Sequence, residues 1–127
     1  MDTLLLAVNG GLMSGMRSHQ VMLDAGAALL RADSTASCYR LWSVEDRFPA
    51  MVRDDEGGTS IALEVWSIGP VGFVQVLQRE PIGLSVGKVE LLDGSRILGV
   101  IGEPSLCKGR KEITAFGGWR AYRESLA

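Results

Sequence analysis

The stretch that most restricts how this chain can fold runs from Leu84 to Ile101, where two apolar runs flank Asp93-Gly94. Asp-Gly between two such runs is a strong short-range hairpin signal, because a two-residue type I′ turn needs positive φ at both central positions and these residue types tolerate it. The spacing therefore predicts a hairpin closed by a type I′ turn, and the other apolar runs must supply its neighbours. Leu4-Leu5-Leu6-Ala7-Val8 is short and continuously apolar, the pattern of a strand covered on both faces. Ser60 to Ile68 places Ile61, Leu63 and Val65 on one side and Ala62, Glu64, Trp66 and Ile68 on the other. A strand half buried on both sides suits a closed or strongly curled sheet, packed within and overlaid by helices. Ala28 to Leu30 and Ser37 to Val44 fit shorter strands, and Phe48-Pro49 reads as a break after the second.

Helix signals are brief. Ser18 stands as an N-cap before His19 to Ala25, with Val21, Met22 and Ala25 at helical spacing and Gly26 as a stop. Pro70 suits the first turn of a helix over Val71 to Arg79, and Lys108 to Glu112 reads as a polar connector. Strands with interspersed helices, rather than a βα repeat, predict the α+β class. At 127 residues one domain over 1–127 is expected, since two halves would each have a marginal core.

Several function classes are disfavoured by composition. With 46% hydrophobic and 22% charged residues, the chain has material for a core and none of the polarity of disorder. A net charge of -2 supplies no overall field for nucleic acid or an anionic membrane, so neither is expected as a partner. The first apolar run lacks the length and basic flank of a signal peptide, and no run approaches the roughly 18 residues of a membrane span; a cytoplasmic protein is expected. Cys38 and Cys107 are expected as reduced thiols and lack an evident base to activate them. One histidine and no Cys-x-x-Cys leave too few ligands for structural zinc, and neither metal nor cofactor is expected.

The chemistry-bearing candidates lie elsewhere. Asn9-Gly10-Gly11-Leu12-Met13-Ser14-Gly15 follows the first strand, and consecutive backbone N–H groups in such a turn can converge on an anion; the same glycines also serve a simple chain reversal. Glu80 ends the second helix near Ile82 and Leu84, an apolar wall able to hold a proton near neutral pH, or else a solvated helix end. Glu64, among Leu63, Val65 and Trp66, must be paired, hydrogen-bonded or neutral: it either lines a cavity or forms a structural ion pair with Arg40 or Arg120. Arg120 could clamp a substrate carboxylate or fasten the tail. His19 could bond a carboxylate or carbonyl, or simply pack.

Asn9-Gly-Gly-Leu-Met-Ser-Gly15, Tyr39-Arg-Leu-Trp42, Glu64-Val-Trp66, Gly87-Lys-Val89 with Asp93-Gly94, Gly102-Glu-Pro104 and Ile113-Thr114 with Gly117-Gly-Trp-Arg-Ala-Tyr122 resemble, in order, the C-terminal domain of allophanate hydrolases. The resemblance covers nearly the whole chain, and its most specific part is the Gly-Gly-Trp-Arg-x-Tyr ending. It implies a γ-glutamylcyclotransferase-like mixed β-barrel with a few short helices and a cavity beside the Asn9–Gly15 turn. It further implies a carboxylated amide or carbamate as substrate, with Asn9, Gly10, Gly11, Leu12, Met13, His19, Glu64 and Arg120 as binding candidates and Glu80 as acid/base. Three readings follow: decarboxylation of an N-carboxycarbamate made by a separate amidase, γ-glutamyl cyclisation, or a non-catalytic partner of an amidase. The aromatic tail and Trp42, Trp66 and Trp119 leave a homodimer open.

Overall fold

The structure, a computed structural model, describes residues 2–127. Among these residues eight strands form two sheets. β1 (Leu4–Val8), β2 (Ala28–Ser34), β5 (Ala62–Ile68), β6 (Leu84–Glu90) and β7 (Arg96–Gly102) make a five-stranded sheet in the order β2-β5-β1-β7-β6, and β3 (Tyr39–Val44), β4 (Phe48–Arg53) and β8 (Lys111–Glu112) a smaller one in the order β4-β3-β8. The β1–β7 pair is parallel and the other ladders antiparallel. Three short helices, α1 (His19–Asp24), α2 (Pro70–Arg79) and α3 (Trp119–Ser125), complete an α+β architecture. Among the described residues no helix is long and apolar enough to cross a membrane.

The sheets do not form the closed barrel expected from sequence. The edge strands of the larger sheet meet only at its rim, through an isolated bridge between Thr35 and Leu91, while β3 and β4 pair with each other and β8 instead of closing the gap. The burial expected on both faces of β5 does hold over its middle. Leu63 to Trp66 are all buried, as a central strand apolar on both sides must be, and β5 takes β1 on one edge and β2 on the other.

Local expectations fared unevenly. The hairpin lies where Asp93-Gly94 placed it, but only Gly94 has positive φ, at 88°, and the Leu91 N–H donates to the Ser95 carbonyl around Leu92, Asp93 and Gly94. This is a three-residue loop with one left-handed glycine, not a type I′ turn. Two successive positive φ values occur instead at Glu45 and Asp46, with φ of 56° and 57°, in the β3–β4 turn. Phe48-Pro49 does not break the strand pattern but belongs to β4, where Pro49 is tolerated because β4 is an edge strand. The Lys108–Glu112 connector contributes β8, β2 extends to Ser34, and Ser18 precedes α1 without a side-chain capping bond. Cys38 and Cys107 are free thiols.

Candidate functional site

The loop from Asn9 to Gly15 leaves the buried end of β1 and turns twice, with the Met13 N–H donating to the Gly10 carbonyl and the Met16 N–H to the Met13 carbonyl, both at 3.0 Å. Gly10 is required by packing: a Cβ there would sit 2.5 Å from Pro49 Cδ. Pro49 and Phe48 of β4 thereby close over the loop and, with Val8, Leu84 and Val100, wall a cavity of about 20 Å³. Asn9, Gly10, Gly11, Leu12 and Glu80 all line it. Asn9 is committed on its amide side, Nδ2 donating to the Val100 carbonyl at 2.9 Å. The N–H groups of Gly10, Gly11 and Leu12 have no protein acceptor among the described residues.

Glu80 reaches this cavity because Pro81 disfavours helical backbone in the residue before it. α2 accordingly stops at Arg79, and Glu80 turns extended, with φ -72° and ψ 144°. Among the described residues its carboxyl has no hydrogen-bond donor or cation near enough to stabilise the charged form; burial pushes its pKa up to about 7. It can hold or release a proton at neutral pH.

Glu64 and Arg120, expected beside the same loop, lie on a different cavity. That space, about 330 Å³, opens between β2, β5 and α3 and is lined by Met13, Asp33, Glu64, Phe116, Arg120 and Glu124 among others. Glu64 is 7% exposed. It accepts the Ser14 N–H at 2.7 Å, the Ser14 hydroxyl at 2.5 Å, the Trp66 indole N–H at 3.1 Å and an Arg120 Nη2 bond at 3.2 Å. Burial pushes its carboxyl up, but the bonds from Ser14 and Trp66 and the Arg120 charge outweigh that and hold it below the usual carboxylate range. Arg120 also donates to the Ser14 carbonyl at 2.9 Å, so of its two expected partners Glu64 has Arg120; Arg40 is paired with Glu112 and Asp54. His19 Nδ1 accepts the Gly15 N–H at 3.2 Å and its ring edges onto Trp66, with centroids 5.8 Å apart. It braces the end of the loop and lines neither cavity.

Sequence reasoning missed Phe48 and Pro49 as cavity walls, the signal having been read as a strand break. It also missed Arg17, Arg47 and Arg79, which line a hollow next to the Glu80 cavity.

The two sheets and short helices have a γ-glutamylcyclotransferase-like fold, shared with solved structures at 18% and 21% identity. The chain belongs to the allophanate hydrolase C-terminal domain family, which it matches over residues 4–124. A solved relative, c4763 of uropathogenic E. coli, is 47% identical, with a TM-score of 0.95 over 98% of each chain. Allophanate hydrolase of Kluyveromyces lactis is 28% identical with a TM-score of 0.94, covering 100% of this chain and 22% of that one. Urea amidolyase of Saccharomyces cerevisiae is 33% identical over 95% of this chain. The chain spans only 7% of the length of that curated relative.

Proposed function

We propose that this chain is a small-molecule enzyme whose site is the Glu80 cavity, and that it decarboxylates an N-carboxycarbamate-type product of an amidase. The observation that carries the reading is a carboxyl able to stay protonated near neutral pH in the same cavity as backbone N–H groups without protein acceptors. Those N–H groups suit a carboxylate. In the reaction the bond between nitrogen and the departing carboxylate carbon breaks, its electron pair stays on nitrogen, and carbon dioxide leaves. Glu80 supplies the proton that nitrogen takes up and regains one from water, so the protein need only orient the anion and stabilise charge developing on nitrogen. The substrate's origin in an amidase is suggested by the resemblance to allophanate hydrolases and urea amidolyases.

Glu64 is a poor alternative for the proton, being held ionised by four bonds. The larger cavity is also a poor alternative for the substrate. Its side chains include Asp33, Glu64 and Glu124 against Arg120 alone, which repels an anion. A γ-glutamyl amide fits the Glu80 cavity less well, since its α-ammonium would find no carboxylate there besides Glu80.

The test is carbon dioxide release from N-carboxycarbamate generated in situ by an amidase, against an uncatalysed control. The wild-type chain should accelerate release and Glu80→Gln should not. Absence of acceleration by the wild type ends the decarboxylase reading; 5-oxoproline from γ-glutamyl amines would replace it with cyclisation, and co-purification with an amidase without turnover would replace it with the partner role.

A further inference from the structure

The arginines fall into two sets. Arg31, Arg40, Arg53, Arg96, Arg110 and Arg120 each lie within 4.0 Å of a carboxylate, and Arg123 donates to the Asp46 carbonyl at 2.9 Å. Arg17, Arg47 and Arg79 are exposed, and among the described residues none has a carboxylate within that reach. They come from the loop before α1, the β3–β4 turn and the last residue of α2, yet all three line one hollow of about 290 Å³. Gly11 and Phe48 border both that hollow and the Glu80 cavity, so the two spaces adjoin. Among the described residues no carboxylate lines the hollow of the three arginines; Asp46 borders a neighbouring one with Arg17 and Arg47, and Asp24 another with Arg79.

Three guanidinium groups around a hollow with no carboxylate in its lining favour an anion between them. We propose that Arg17, Arg47 and Arg79 form a vestibule that selects small molecules carrying two carboxylates over those carrying one. This rests on the reading of the Glu80 cavity as the site and deepens it. The inner cavity of about 20 Å³ takes only the reacting end, held by the loop N–H groups, while the second carboxylate stays outside among the guanidinium groups, where planar donors match it. N-carboxycarbamate has two carboxylates on one nitrogen; a γ-glutamyl amide has one carboxylate and an ammonium that the vestibule would repel.

Calorimetric titration at low salt tests this with malonate, an unreactive dicarboxylate of the same spacing, and propionate, in which a methyl replaces one carboxylate. The wild-type chain should bind malonate about tenfold more tightly than propionate, with the preference shrinking as salt is added. R17Q, R47Q and R79Q should each lose part of the preference and the triple variant all of it, at unchanged melting temperature, while R96Q, on the far hairpin, keeps it. A wild type without preference, a triple variant that retains it, or an equal loss in R96Q overturns the vestibule. Because the readout is binding, the two ideas fail separately: malonate preference without carbon dioxide release removes the decarboxylase and leaves the vestibule, and turnover without preference does the reverse.

Discussion

The Asn9–Gly15 loop runs between two glutamates with opposite behaviour, Glu64 buried and Glu80 partly buried. Beside Gly10 to Leu12 lies Glu80, whose carboxyl receives no hydrogen bond from the protein and whose pKa is pushed up to about 7 by burial. Beside Ser14 lies Glu64, which receives four bonds and is held below the ordinary carboxylate range although it is only 7% exposed. Burial acts on both in the same direction; the donors decide the outcome. A carboxylate saturated with donors fixes structure, whereas one left without them remains free to exchange a proton. The difference separates a structural end of the loop from the one we propose for the chemistry, although both look alike as glutamates flanked by apolar residues.

The largest expected effect lies at the chemical end. Glu80→Gln removes the transferable proton at almost unchanged volume and should lower turnover in the carbon dioxide assay by about 10²- to 10⁴-fold, with Glu64→Gln retaining most of the activity of whatever fraction folds. Equal losses would erase the distinction between the two ends. At the structural end, Glu64→Ala leaves the Arg120 charge and the Trp66 and Ser14 donors without their acceptor, and should cost about 3 kcal/mol in urea unfolding.

The next effect has a sign that depends on pH. The Glu80 carboxyl titrates at about 7 in the folded chain and near 4.3 when unfolded, so the folded state holds its proton more tightly. Its contribution to stability is complete below about pH 4 and is lost as pH rises through 7. Glu80→Gln should therefore be more stable than wild type at pH 8, by up to about 3 kcal/mol, and indistinguishable from it at pH 4. A pH-independent difference would mean that the carboxyl is not desolvated. Smallest is Tyr122→Phe, which removes the 2.6 Å bond to Asp46 and should cost about 1–2 kcal/mol, with Glu80-dependent pH behaviour preserved.

What could be read in advance was local. The position of the β6–β7 hairpin, the strand leading into the glycine loop and the double-sided burial of β5 follow from patterns within a few residues of each other. The juxtaposition of the loop with Glu80 comes instead from the family resemblance, since residues so far apart in the chain share no local pattern. The open barrel was not legible, because closure depends on whether β2 and β6 pair along their length, and their sequences do not encode that distance. β4 was hidden by Pro49, which only its edge position makes acceptable. The contrast between the two glutamates was hidden as well: Ser14 and Arg120 reach Glu64 across 50 and 56 residues of chain. The gathering of Arg17, Arg47 and Arg79 is equally non-local.

The Gly117-Gly-Trp-Arg-Ala-Tyr122 ending, by which the family is recognised, has a mechanical role in this arrangement. From a helix of seven residues, Arg120 grips the Ser14 carbonyl and Tyr122 grips Asp46, whose left-handed backbone shapes the turn that presents Arg47. One short latch thus sets both lips of the site without touching its inner cavity. Drift among relatives should then be correlated: replacements at 14, 46 or 64 are expected to travel with replacements at 120 or 122, so the signature records partnerships between distant positions more than it records the chemistry itself.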